Sequence, residues 1–329
     1  MNPRRLIVFF QNNSGGCLLL FGPKQQQYLR VEYSAKGTRV VMILPKVAAD
    51  TTINGLGERS AEHLLFYNLF EEPFVITGVN QRFCYLSAQH RSVVERCLTV
   101  IERRLGFGVV LGAVGSGKST LAHLLFSRLS SHPDYAVAFI NDPSTPPAGF
   151  IRNVLAEYKQ PNIGRQLEQL KNYFKEFVYN QVLEQDKNVV LLVDEAQMME
   201  SRTLELVRVL LNFEGEHGKF VQVLLFGQDE LGDKLKRHKN IENRIMGVAH
   251  LEPLDQVETQ NLLEYRLFVA GRKKPLFNSE AVRVIHQYSS GVPRSICGIA
   301  DAAIMLGYEA GSEMIDEEIS LEAAQQVML

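Results

Sequence analysis

Short apolar runs alternate with longer amphipathic segments between about residues 61 and 253. The runs read FGVVLG, YAVAFI, NVVLLV and FVQVLLFG. They are continuous rather than interrupted at every second position, which is typical of parallel strands covered on both faces. The segments between them, such as TLAHLLFSRL and SRTLELVRVLLNF, repeat apolar residues every three to four positions, as helices do. This alternation predicts an α/β domain with a parallel sheet and right-handed crossovers.

The two ends of the chain follow different patterns. Residues 1–60 contain four short apolar runs (LIVFF, CLLLFG, YLRVEY and RVVMILP) separated by turn-forming residues. These runs predict a small β-rich domain. From residue 254 onward only helical periodicity remains, and several predicted helices end at glycine, a common helix C-cap. A chain of 329 residues is long enough for three domains, predicted at 1–60, 61–253 and 254–329.

Composition places the chain among ordinary soluble proteins, with 46% hydrophobic and 22% charged residues. The formal net charge of −2 gives no overall basic surface, so contact with nucleic acid would require a local patch. Residues 1–60 carry eight basic and three acidic side chains, a net charge of +5. This segment is either a solvated surface or a contact region for nucleic acid or an acidic partner, and the sequence leaves both open.

The cysteines and the apolar runs argue against disulfide-rich, zinc-binding and membrane-spanning proteins. The four cysteines are widely spaced and form no CxxC pair, which disfavours a disulfide framework or a zinc site. The longest apolar stretches, such as VVLLV, fall well short of the roughly 20 residues that span a bilayer. We therefore expect a soluble, cytoplasmic chain with no transmembrane segment of its own.

The stretch GAVGSGKST at residues 112–120 carries the clearest chemistry. It contains the complete pattern G-x-x-x-x-G-K-[ST], preceded by a predicted buried strand and followed by a predicted helix, which is the context of a phosphate-binding loop. Glycines let the backbone aim its N–H groups at phosphate oxygens, and the helix N-terminus adds free amides. Lys118 would reach the β- and γ-phosphates, and Ser119 would ligate Mg²⁺. The predicted nucleotide-binding residues here are Gly112, Val114, Gly115, Ser116, Gly117, Lys118, Ser119 and Thr120.

Two further strands end in polar residues. Asp194 and Glu195 follow NVVLLV at the end of the sheet where α/β proteins bind ligands. Asp194 would hold Mg²⁺ through water, and Glu195 would orient or deprotonate an attacking water. Gln228 follows FVQVLLFG; it either contacts the γ-phosphate or the water, or only begins a turn.

Two arginines complete the candidate site. Arg244 lies in NIENRIMG before a short predicted strand, and Arg294 lies in SGVPRS at a predicted helix start. Alone, either would be read as a surface charge.

Together these motifs resemble an AAA+ ATPase with a three-layer α-β-α core and a C-terminal helical lid. Finer detail resembles the ExeA/GspA-type ATPases of the general secretion pathway. The shared stretches are PF, RFCYLSAQH and GFGVVLG around residues 73–112, DEAQMMESRTLELVRVLLNFE, LLFGQDEL and, in the predicted lid, GVPR.

The resemblance implies a role for each residue, with ATP as substrate and Mg²⁺ as cofactor. Lys118 and Ser119 would be the Walker A residues, and Asp194 and Glu195 the Walker B pair. Gln228 would be sensor 1, and Arg294 sensor 2. Arg244 would be the arginine finger that acts on a neighbouring subunit's nucleotide, with Arg237 the weaker candidate.

The biological process stays open between two hypotheses, both with self-association into a ring or filament. The first is an ATPase that serves secretion, pilus or other envelope assembly through an envelope-assembly partner. The second is an ATP-dependent regulator of transposition, of the TniB/TnsC/MuB type, that binds duplex DNA and recruits a transposase. The basic cluster DKLKRHKNIENR supports the second hypothesis.

Overall fold

The computed structural model describes residues 28–35, 38–45, 62–76, 78, 80–161, 164, 166–216 and 218–328. The chain divides into two compact units, residues 1–60 and 61–329. In the first unit β1 (Tyr28–Ala35) and β2 (Thr38–Pro45) form an antiparallel pair with Ala35 opposite Thr38. They correspond to two of the four predicted strands; the runs LIVFF and CLLLFG lie outside the described residues.

The strands of the second unit are β3 (Phe107–Gly112), β4 (Tyr135–Ile140), β5 (Asn188–Val193), β6 (Glu214–Gly215), β7 (Gly218–Lys219), β8 (Val221–Gly227) and β9 (Gly247–Leu251). Five of them form a parallel sheet in the order β4-β5-β8-β3-β9. The short strands β6 and β7, of two residues each, form an antiparallel hairpin before β8. Every residue of β5 and β8 is buried, as their continuous apolar sequences predict.

Helices connect the strands and then continue without a sheet. Those up to β9 are α1 (Glu62–Phe66), α2 (Ala88–Glu102), α3 (Lys118–Ser130), α4 (Pro147–Glu157), α5 (Leu167–Tyr179), α6 (Ser201–Leu210), α7 (Asp229–Arg237) and α8 (Lys239–Glu242). Those after β9 are α9 (Gln256–Val269), α10 (Ser279–Ser289), α11 (Pro293–Glu309) and α12 (Glu317–Met328).

The two faces of the sheet belong to separate hydrophobic clusters. Along β5, Leu191 joins the cluster built with α4, α5 and α6, whereas its neighbour Leu192 joins the cluster built with α2 and α3. Successive strand residues point to opposite faces, so this alternation means that helices cover both sides. The predicted three-layer α-β-α arrangement is confirmed.

The C-terminal helices share their core with residues that precede the sheet. Tyr67, Phe74 and Phe83 are buried in the same cluster as the apolar residues of α9 to α12. The Tyr67 hydroxyl donates to the carbonyl of Ser312 (2.9 Å). The predicted division after residue 253 lies within the unit of residues 61–329, in which Tyr67, Phe74 and Phe83 pack with the C-terminal helices.

Within the described residues, no helix has both the length and the apolar character needed to cross a bilayer.

Gln222 is a polar residue near the start of the buried strand β8, and its side chain is fully inaccessible. Its Oε1 accepts from the Gly106 amide (2.8 Å), and its Nε2 donates to the Lys219 carbonyl (2.7 Å). The side chain therefore joins the turn before β3 to the turn before β8. Burial without these partners would leave two backbone groups unsatisfied.

We predict that Gln222→Leu lowers the free energy of unfolding by about 1–3 kcal/mol, because the buried Gly106 amide and the partly buried Lys219 carbonyl lose their hydrogen bonds. Urea denaturation followed by circular dichroism measures the change. The control is Gln326→Leu on the exposed face of α12, which should unfold at the wild-type midpoint. A Gln222→Leu midpoint equal to that of the control would contradict the assignment.

Candidate active site

The loop at residues 112–119 connects the end of β3 to the start of α3. Gly115 (φ +80°) and Gly117 (φ +99°) adopt the left-handed region that favours glycine. A Cβ atom would lie 2.9 Å from the Cβ of Arg294 at Gly115, and 3.2 Å from Nε2 of His90 at Gly117. Gly117 is the N-cap of α3 and supplies no side chain, so the first amides of the helix stay free for a ligand. The loop has the form of an anion cradle.

Lys118 is the first residue of α3 and is 6% exposed. Its Nζ donates to the carbonyls of Gly112 and Ala113, both at 2.8 Å. Burial lowers the pKa of its ammonium group, while the carboxylates of Glu195 and Asp194 act in the opposite direction. The cation is therefore enclosed by the loop and faces two acidic groups.

Asp194 and Glu195 directly follow β5 and differ in exposure. Asp194 is 5% exposed, and its Oδ1 accepts from the backbone amide of Glu195 (2.9 Å). Glu195 is exposed and left-handed (φ +48°), a conformation that costs energy for a residue with a side chain. Its carboxylate accepts from Nε2 of Gln197 at 2.5 Å. Strained residues of this kind cluster at functional sites.

Gln228 and Arg294 approach the same place from β8 and from the C-terminal helices. Gln228 is the N-cap residue of α7, but its side chain makes no capping bond. Its backbone amide donates instead to Oε1 of Gln197 (3.1 Å). Arg294 is the second residue of α11, and its backbone amide donates to the carbonyl of Gly115 (3.3 Å). The C-terminal helices thus contact the loop directly.

One cavity of about 280 Å³ unites most of these residues. The predicted site residues in its wall are Val114, Gly115, Gly117, Lys118, Ser119, Thr120, Glu195, Gln228 and Arg294. Gly112, Ser116 and Asp194 are buried next to this wall.

Arg244 is not brought to the cavity. Its Nη1 donates to Oδ1 of Asn212 (2.6 Å), and the nearby Met246 amide donates to the carbonyl of Phe107, at the amino end of β3. The loop follows the carboxyl end of the same six-residue strand. At about 3.3 Å per residue, roughly 15–20 Å of strand separates the two ends.

Sequence reasoning missed the apolar residues in the wall of the cavity. Its wall also includes Val75, Ile76, Phe83, Tyr85, Leu254 and Leu262. These residues come from segments distant in sequence, and no local motif marks them as cavity residues. A cavity whose wall combines a glycine-rich loop and charged groups with apolar side chains suits a nucleotide.

His90 was also missed. It is 4% exposed, and its pKa is lowered by burial, so the neutral ring is favoured. Its Nε2 lies 3.2 Å from the Ser116 carbonyl, and its Nδ1 lies 2.9 Å from Oγ of Ser87. A neutral ring satisfies both contacts when Nε2–H donates to the carbonyl and the hydroxyl donates to Nδ1. His90 therefore supports the loop from α2.

The donor set fits Mg²⁺ shared with phosphates. Ser119 offers a hydroxyl and Asp194 a carboxylate, and Mg²⁺ is commonly held by one or two such groups together with substrate phosphates and water. In the described part of the chain, no group of three or more His, Cys, Asp or Glu residues could hold a metal by itself. A resident metal cage is therefore not present among these residues.

Comparisons with known proteins agree with this geometry. The family described as AAA domain matches residues 101–235. General secretion pathway protein A of Aeromonas hydrophila is 31% identical over 262 residues, which cover 78% of this chain and 47% of that protein. The chain thus spans about half the length of this relative.

Solved structures share the fold at low sequence identity. The Aeropyrum pernix ORC2 protein superposes with a TM-score of 0.59 at 17% identity, covering 78% of this chain and 71% of that one. A chain of the Drosophila ORC bound to DNA gives a TM-score of 0.61 at 16% identity, covering 87% and 71%. The fold is that of a P-loop protein of the AAA+ class. Residues 101–235 match the AAA domain family, and the chain is similar to general secretion pathway protein A, so the resemblance predicted from its motifs is confirmed.

Proposed function

We propose that this protein binds ATP with Mg²⁺ and hydrolyses it as a conformational switch. The observation that carries the proposal is the convergence of Lys118, Glu195, Gln228 and Arg294 on one cavity beside the glycine loop. Each of these residues comes from a different element, and each supplies a group that phosphoryl transfer requires.

The phosphate end of the cavity binds and polarises the triphosphate. The amides of the loop and of the first turn of α3 hold the phosphate oxygens, with the Thr120 amide near the α-phosphate. Lys118 exchanges its two carbonyl partners for β- and γ-phosphate oxygens. Ser119 and Asp194 hold Mg²⁺, which neutralises charge on the phosphates when it is bound. The apolar residues of the cavity wall receive the base.

Hydrolysis needs a base and a charge sensor at the γ-phosphate. The exposed Glu195 carboxylate orients the attacking water or accepts its proton. Gln228 contacts the γ-phosphate or the same water from the end of β8. Arg294, on α11, stabilises the γ-phosphate. When hydrolysis removes the γ-phosphate, this contact is lost and the C-terminal helices are released from the loop.

Assembly supplies the remaining cation. Because Arg244 lies near the opposite end of β3 from the loop, it serves a site on a neighbouring copy rather than its own. An arginine provided in trans stabilises transition-state charge and makes turnover depend on self-association into a ring or filament.

For the process, we propose a cytoplasmic ATPase that serves secretion, pilus or other envelope assembly through a membrane-bound partner. Support comes from the 31% identity to general secretion pathway protein A.

A second candidate is regulation of DNA transposition, with a transposase as partner. The exposed side chains of Lys236, Arg237 and Lys239 on α7 and α8 favour it, because a local basic patch can contact phosphates without an overall basic charge.

We predict that Lys118→Ala weakens ATP binding about a hundredfold, because a charge-assisted contact to the phosphates is lost.

Glu195→Gln should bind ATP as wild type does but turn over at least about a hundredfold more slowly, as expected when a general base is removed. Titration with a fluorescent ATP analogue and phosphate release measure the two effects. Wild-type turnover no faster than that of Lys118→Ala would refute the proposed hydrolysis.

We predict that Arg244→Ala leaves ATP affinity within about twofold of wild type and reduces the turnover of the assembled protein to that of isolated subunits, because each site loses its neighbour's cation. Arg237→Ala, at the end of α7, tests the weaker candidate for the finger and should behave as wild type. Mixing Arg244→Ala with Glu195→Gln subunits should restore turnover, since the second variant donates an intact arginine. A mixture no more active than its two components would contradict action in trans.

We predict no ATP-dependent retention of duplex DNA at physiological salt, as expected for an envelope-assembly ATPase. Fluorescence anisotropy of a labelled duplex with ATP, over a range of salt concentrations, measures this. The transposition alternative requires binding that weakens with salt, by about 0.9 log units per phosphate contact for each log unit of salt. It also requires that binding fall when Lys236, Arg237 and Lys239 are replaced by alanine.

A further inference from the structure

Gln197 lies in a short 3₁₀ turn (Ala196–Met198) that directly follows Glu195. Its carboxamide donates one hydrogen bond and accepts another. Nε2 donates to the Glu195 carboxylate at 2.5 Å, and Oε1 accepts from the backbone amide of Gln228 at 3.1 Å. One half-buried side chain therefore joins the end of β5 to the junction of β8 and α7.

The turn that carries Gln197 is held from a third element. Nζ of Lys234, on α7, donates to the carbonyls of Gln197 (2.7 Å) and Met199 (2.8 Å). The Oε1 of Gln197 lies 3.0 Å from where a Cβ at Gly227 would be, so the glycine leaves room for the carboxamide. The Lys234 bonds hold the backbone of the turn and the Gln228 amide holds Oε1, and together they set the direction in which Nε2 points.

The carboxylate that Gln197 holds belongs to the cavity. Glu195 forms part of the cavity wall, and among the carboxylates that oppose the burial-driven fall in the pKa of Lys118 it has the largest effect. A glutamate side chain that is exposed has several accessible rotamers, and a hydrogen bond to a constrained amide selects among them. The bond therefore orients the carboxylate while leaving it at the cavity.

We propose that Gln197 is a positioning residue that orients Glu195 for hydrolysis and couples this orientation to the β8–α7 junction at Gln228. This inference rests on the proposed ATP hydrolysis. Gln197 itself does not form part of the cavity wall and acts through Glu195. A shift of the Gln228 amide, for example when its side chain contacts a γ-phosphate, would move the carboxamide and with it the carboxylate.

Two substitutions separate the bonds. Gln197→Met has similar length and removes both hydrogen bonds. Gln197→Glu keeps an acceptor for the Gln228 amide but replaces the donor with a second carboxylate beside Glu195, where like charges repel. The matched control is Gln260→Met on the exposed side of α9, which removes another glutamine-to-glutamate hydrogen bond (Nε2 to Glu264 Oε1, 2.8 Å).

The experiment measures kcat and KM for ATP, the Kd of a fluorescent ATP analogue and the thermal midpoint of the full chain. We expect kcat to fall about tenfold or more in Gln197→Met and at least as far in Gln197→Glu, because a hydrogen bond to a charged group is lost. KM and Kd should stay within about twofold of wild type, and Gln260→Met should match wild type throughout. A purely structural role would instead lower the thermal midpoint and weaken nucleotide binding together with kcat.

The outcomes distinguish this inference from the function on which it rests. Wild-type turnover equal to that of Lys118→Ala overturns the hydrolysis and the inference together. Wild-type turnover with an unchanged or raised kcat in Gln197→Met overturns only the positioning role. A normal kcat in Gln197→Glu also overturns it, because the bond to the Gln228 amide alone would then be sufficient.

Discussion

The left-handed backbone at Gly115 and Gly117 is the constraint on which the site depends. At both positions a Cβ would approach a neighbouring side chain closely, Arg294 in one case and His90 in the other. The two glycines therefore do more than turn the loop: they let α2 and α11 approach it from separate directions. The absence of side chains at these glycines leaves amides free for an anion. It also lets the C-terminal helices contact the loop, where the Arg294 amide donates to the Gly115 carbonyl.

The parallel sheet determines which residues meet there. Because β3, β5 and β8 run in the same direction, the residues that follow them lie along one edge of the sheet. Lys118, Glu195 and Gln228 are far apart in sequence, yet they form part of one wall. Burial of every residue in β5 and β8 holds these strand ends in place, since a rigid core is the support that a site needs to keep its geometry.

The sequence predicted the parts of the fold and the site that have local signals. Continuous apolar runs identified the strands, and the loop motif located Lys118 between a strand and a helix. The limits of prediction from the sequence are also physical. Three features join segments that are distant in sequence: the packing of Tyr67, Phe74 and Phe83 with the C-terminal helices, the apolar residues of the cavity wall, and the hydrogen bond that the Gln228 amide donates to Gln197. No periodicity records such pairings. The left-handed conformation of Glu195 was equally unpredictable, because glutamate rarely adopts it.

The same sheet geometry places Arg244 at the edge of the sheet opposite to the loop, and this limits the role that its side chain can have. A residue just before β9 lies at the amino edge of the sheet, so no rotamer of a side chain only several ångströms long can reach a loop at the carboxyl edge of β3. Its bond to Asn212 joins it to the segment after α6 within its own subunit. Under the proposed function, any charge that Arg244 contributes to phosphoryl transfer must therefore be delivered to another copy. The cavity edge and the Arg244 edge of each subunit would then be complementary halves of a contact between copies, and a heterologous contact of this kind forms either a closed ring or an open filament.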